Sequence, residues 1–126
     1  MQNGINILVA DRNPRIRNFV ARELRNEGYR VSTIETERQL AQWMAAERLP
    51  DLLVLDPDLP GGDTRCYTWP LLAKYSFLPV VFHCQAADIP MPMPRMACTV
   101  IVEKSADSID LLKKQIALLL NTNRRG

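Results

Sequence analysis

At 126 residues the chain has the length of one domain and can bury a core without disulfides or a structural metal. Its 47% hydrophobic and 24% charged residues exclude a low-complexity chain, and a formal net charge of +2 gives no ground for a nucleic-acid or membrane surface. No apolar run approaches the roughly 18 residues of a membrane span, the start MQNGINILVAD is no signal peptide, and the widely spaced Cys66, Cys84 and Cys98 argue against a zinc site and a disulfide framework, so a reduced, cytoplasmic chain is expected.

Ile5, Ile7, Leu8 and Val9 form an apolar run ending at Ala10-Asp11, which predicts a buried first strand. Asn13-Pro14 then predicts a helix start, a capping side chain followed by proline at the first helical position. Ile16, Phe19, Val20 and Leu24 share one face of that helix, and Gly28 closes it. The β-branched run Val31 to Ile34 predicts a second strand. Thr36 with Gln39 is a capping box for a second helix, with Leu40, Trp43 and Met44 as its stripe and Pro50 as its end.

Leu52-Leu53-Val54-Leu55, apolar on both faces, is a third strand that stops at Asp56. A helix is expected after the loop that follows, within limits set by Trp69-Pro70. Pro79 to Cys84 and Cys98 to Val102 predict strands four and five. Ser105 or Ser108 caps a last helix with Ile109, Leu112, Ile116 and Leu119 on one face, and the polar tail from Asn121 to Gly126 should fray. Strand and helix thus alternate five times, without repeats or linkers, as in a parallel sheet covered on both sides. Between strands four and five the prolines at 90, 92 and 94 forbid a regular helix, so the fourth helix should be missing or a single turn.

In an open parallel sheet, ligands bind beyond the carboxyl ends of the strands. Here those ends carry Asp11 and Arg12, Asp56, Cys84 and Lys104. A carboxylate beside a lysine and an arginine stays ionised and available as a nucleophile. Other residues invite blander readings. His83 and Cys84 are expected in structural roles, Trp43 and Trp69 as core or lid, and Lys113 and Lys114 on a solvated helix face. Met91, Met93 and Met96 could form a partner surface or fill gaps.

Two stretches, Ile7-Leu8-Val9-Ala10-Asp11-Arg12-Asn13-Pro14 and Asp51-Leu52-Leu53-Val54-Leu55-Asp56-Pro57-Asp58-Leu59-Pro60-Gly61-Gly62-Asp63, resemble the receiver domains of two-component response regulators. So do Pro79 to Cys84 and Val100 to Lys104, so that the resemblance runs over essentially the whole chain, 1–126, as one domain. It implies a CheY-like α/β fold: a flavodoxin-like (βα)5 three-layer sandwich with parallel sheet order 2-1-3-4-5. It implies that Asp56 accepts a phosphoryl group from a histidine kinase or phosphotransfer protein, with Asp11 in the acidic pocket. Lys104 and the residue at Cys84 would contact phosphate, and Mg2+ would be held by Asp11 and Asp56. It further implies a stand-alone signalling protein that is not an enzyme and acts on an output protein in trans, as a monomer or weak dimer, with no nucleic-acid or membrane partner.

The departures from the family pattern bear on the same residues. Arg12 stands where a second acid ligates the metal, and arginine offers only donors, so Mg2+ binding is weakened. Arg12 could instead pair with Asp56 or contact an incoming phosphoryl group. Cys84 replaces a hydroxyl residue, Ile101 the switch aromatic, and Ser105 a proline. These changes predict a degenerate receiver that takes phosphate slowly or not at all and acts mainly by binding a partner. Asp56-Pro57-Asp58 also looks like the paired acids of haloacid-dehalogenase-type phosphatases, but it follows the third strand, not the first, and the chain lacks room for their later motifs. A flavodoxin-like cofactor binder would need a phosphate loop after the first strand, where Asp11 stands instead.

Overall fold

The computed structural model describes residues 4–46, 48–62, 64 and 66–125; Asp63 and Gly126 lie outside the described residues. Five parallel strands, β1 (Asn6–Ala10), β2 (Arg30–Ile34), β3 (Leu52–Leu55), β4 (Val80–His83) and β5 (Thr99–Val102), form one sheet in the order β2-β1-β3-β4-β5. The expected order is found. Because side chains alternate across a strand, neighbouring residues of β1, β3 and β4 feed opposite cores. Leu8, Leu53, Leu55 and Phe82 pack under α2 (Glu37–Ala45) and α3 (Thr68–Lys74). Ile7, Val9, Val54 and Val81 pack under α1 (Pro14–Asn26) and α4 (Ser108–Arg125). β3 is buried along its whole length, which explains its unbroken apolar run.

The local signals act as read. Asn13 Oδ1 accepts from the Arg15 and Ile16 amides with Pro14 in the first turn, Gly28 adopts a φ of 97° just past the helix end, and the Thr36–Gln39 capping box is complete. Pro70 is tolerated in the first turn of α3, where its missing N–H would have had no partner. The chain between β4 and β5 holds a single 3-10 turn, Ala86–Asp88, and no α-helix. Ile89 is buried there, and Met93 and Met96 pack against the core, while Met91 is exposed.

Several expectations are corrected. α2 ends at Ala45, five residues before Pro50. α4 does not stop at Asn121: its described backbone runs helical to Arg125. Ser108 is the first residue of α4 and not its cap, and its hydroxyl donates to the Ser105 carbonyl at 3.0 Å. Leu119 packs against the core with Ile109 as expected, and Leu120, which the stripe did not include, is buried with Leu112 and Ile116. Phe19 is exposed rather than facing the core. Lys113 is half-buried and reaches across to α1, 3.0 Å from Glu23.

Candidate functional site

Parallel pairing brings the carboxyl ends of β1, β3, β4 and β5 to one edge of the sheet. The Asp11 amide donates to the Ile34 carbonyl at 3.2 Å and the Asp56 amide to the Ala10 carbonyl at 2.8 Å, which pins both acids to the ends of the ladder. Asp11 and Asp56 are each 2% exposed. Lys104, two residues past β5, lies between them, its Nζ 3.0 Å from Asp11 Oδ2 and 3.5 Å from Asp56 Oδ2. Its own carbonyl accepts from Gln85 Nε2 at 2.9 Å, so the segment after β4 holds the loop after β5.

Each carboxylate also receives a turn amide. Asp11 Oδ1 accepts from the Asn13 amide at 2.9 Å and Asp56 Oδ1 from the Asp58 amide at 3.0 Å. Burial holds the Asp11 carboxyl above its usual range, against the opposing pull of the Asn13 amide and Lys104. Arg12 turns its guanidinium over the crevice: Nε is 3.5 Å from Asp56 Oδ2, and Nη1 pairs with the Asp58 carboxylate. That outer pair is mostly exposed, and such pairs are worth at most about 1 kcal/mol.

Cys84 follows β4 and is buried; burial and the Asp56 charge push its thiol up to about 11, so it stays protonated. Asp56 and Lys104 both act on it electrostatically, so it is a neighbour of the pair. Ile101 points partly into solvent from β5, 39% exposed. Asp11, Arg12, Asp56 and Lys104 are therefore brought together, Cys84 lies beside them, and Ile101 stands apart on the sheet edge. Sequence reasoning overlooked Asp58 as the partner of Arg12, Gln85 as a prop for Lys104, and Arg17, which donates to the Asp11 carbonyl at 2.7 Å. The signal for Arg17 was available in the helical period, since it lies one turn past Asn13, while Gln85 could be found only from the folded chain.

Mg2+ takes near-octahedral oxygen ligands and tolerates little distortion. Among the described residues, no group of three or more acidic, histidine or cysteine side chains is placed to hold a metal ion. Asp11 and Asp56 already share one ammonium, and a guanidinium covers the second. These residues do not fit a tightly held Mg2+.

Chains of known structure share this fold. The N-terminal domain of a response regulator/sensory box/GGDEF protein from Carboxydothermus hydrogenoformans superposes with a TM-score of 0.77 at 22% identity, over 95% of this chain and 97% of its own. The response regulator TrrA from Thermotoga maritima, solved with Mg2+-BeF, gives 0.76 at 25% identity, over 91% and 98%. The fold is that of a response-regulator receiver domain. A further receiver structure, TrrA in complex with the histidine kinase ThkA, gives 0.73 at 27% identity, over 92% of this chain and 98% of that one. No protein-family model and no curated protein matches this sequence.

Proposed function

We propose that this receiver domain is a signalling module in which Asp56 serves as the anion of a built-in ion-pair network, and that it acts by binding a protein partner and not as an enzyme. The observation that carries the reading is Arg12: its Nε lies 3.5 Å from Asp56 Oδ2, beside the Lys104 ammonium at the same distance. Two fixed cations stand against the three carboxylates of Asp11, Asp56 and Asp58, so the pocket begins with its acids largely neutralised. An incoming phosphoryl group would add negative charge to a pocket whose described cations, Arg12 and Lys104, are already engaged by its own acids.

A second reading, phosphoryl transfer from a histidine kinase, is favoured by the placement of Asp56 at the end of β3 within reach of Lys104. It would form a bond from an Asp56 carboxylate oxygen to phosphorus while the bond from phosphorus to the kinase imidazole nitrogen breaks. Lys104 would turn from Asp56 to a phosphoryl oxygen. The kinase complex of TrrA supports that class of partner.

Intact mass after incubation with acetyl phosphate, with and without Mg2+, separates the two. The ion-pair module gains no phosphoryl mass under either condition, while Arg12→Asp, which supplies the missing carboxylate, gains it in Mg2+. A phosphoryl mass on the unaltered protein that disappears in Asp56→Asn would establish the acceptor instead.

A further inference from the structure

Beside the crevice, between α1, the loop after β5 and the start of α4, lies a cavity of about 450 Å3. That volume is within the roughly 300–1,000 Å3 of small-molecule sites. Ile16, Phe19, Val20 and Ile109 form its apolar wall. No acidic residue lines it among those described, so nothing there selects a cation. Its two cations do not select an anion either. Lys104 is already held between Asp11 and Asp56, and Arg15 is exposed, where a solvated charge adds little.

The wall does hold one polar atom that the fold leaves unused. His83 lines the cavity and is 4% exposed, with its Nε2 2.9 Å from Ser108 Oγ. The Ser108 hydroxyl donates to the Ser105 carbonyl at 3.0 Å, so toward His83 it can only accept. Nε2 therefore carries the imidazole proton. Burial lowers the ring from 6.5 to about 4, so at pH 7 it is neutral and Nδ1 is an acceptor. That nitrogen is buried and has no partner among the described residues. Only a donor satisfies such an atom, and bulk water does not reach it, so a donor can come only by way of the cavity that the ring lines.

We propose that this cavity binds a small neutral molecule with an aromatic or apolar body and one N–H or O–H donor, the body against Ile16, Phe19 and Ile109 and the donor on His83 Nδ1. The body answers an apolar wall in which Phe19 is 41% exposed, and the donor answers an acceptor that nothing else in the wall supplies. Such an occupant lies against Lys104 and Ser105, the segment that places the lysine between Asp11 and Asp56. Binding does not depend on whether Asp56 accepts phosphate.

The test is a 15N NMR titration with indole as the probe, since its ring nitrogen donates and does not accept, and with benzofuran as a counterpart of the same shape that has no donor. The expected result is saturable shifts confined to residues 16–20, 105–109 and the His83 ring, with the Nδ1 resonance moving as it gains a donor. Indole should bind roughly tenfold more tightly than benzofuran. His83→Phe, which keeps a ring and removes the acceptor, should abolish that preference, and Ile109→Trp should fill the cavity and abolish the shifts. The Nδ1 resonance of the unaltered chain gives the answer even where a variant fails to fold. Asp56→Asn should bind indole as the unaltered chain does, which keeps this test separate from that of the phosphoacceptor. The proposal is overturned by no saturable shift up to about 5 mM, by equal binding of benzofuran, or by an Nδ1 resonance that indole leaves unmoved.

Discussion

Lys104 stands between two carboxylates that are each 2% exposed, and the lysine side chain is itself only 19% exposed. Removing it leaves two buried acids with less compensation, the circumstance in which a lost partner is costly. We expect Lys104→Met to lose about 2–3 kcal/mol at pH 7, measured by urea unfolding. The loss should shrink in acid, where Asp11, already held above its usual range, takes a proton first. His83 is the second titrating residue of consequence. Burial, helped by the Lys104 charge, lowers it from 6.5 to about 4, so the native imidazole stays neutral where the unfolded one charges. Its folded value lies below its unfolded value; stability is therefore unaffected above about pH 6.5 and falls as pH drops from there toward 4, by about 3 kcal/mol in full. Urea midpoints at pH 7 and pH 4.5 should show the decline, and His83→Gln should flatten it. The raised Asp11 acts in the opposite sense at the low end of that window, so the comparison of variant with parent is the informative one.

At the scale of elements, the segment between β4 and β5 replaces a helix with an irregular strap. One tie is Trp69: it is 5% exposed, meets Phe82 edge-on with centroids 5.8 Å apart, and donates from Nε1 to the Pro90 carbonyl at 3.0 Å. Trp69→Phe keeps most of the packing and loses that bond, which should cost about 1 kcal/mol and speed amide exchange at the Ile89 and Ala97 amides. Trp69→Ala should cost about 3–5 kcal/mol in urea unfolding. The absence of an α-helix here was legible from prolines alone, because each removes a donor and clashes with the preceding turn. The attachment was not legible, because the donor comes from α3, 21 residues earlier.

On the whole-molecule scale, the inner strands β1, β3 and β4 supply the floors of both cores, so neither helical layer can leave without exposing the sheet. Urea unfolding followed by tryptophan fluorescence and by far-ultraviolet circular dichroism should therefore give coincident transitions. A strap that melted first, seen as a separate early fluorescence transition from Trp69, would count against a single cooperative unit.

The order of strands and helices, the capping box, the lost helix and the gathering of Asp11, Arg12, Asp56 and Lys104 were all readable from the chain. They rest on local rules: period-two and period-3.6 patterning, capping geometry, and the fact that parallel strands end on one side. What folding alone decided is how those groups divide their charges. Nothing in the spacing of Arg12 and Asp58, 46 positions apart, says that they pair. Nor does it say that Lys104 lies closer to Asp11 than to Asp56, or that His83 turns one nitrogen to Ser108 and leaves the other without a partner among the described residues. These are matters of a few ångströms between residues brought together from different strands. Short-range sequence signals fix backbone conformation, whereas side-chain pairing and solvation depend on which distant groups arrive beside them.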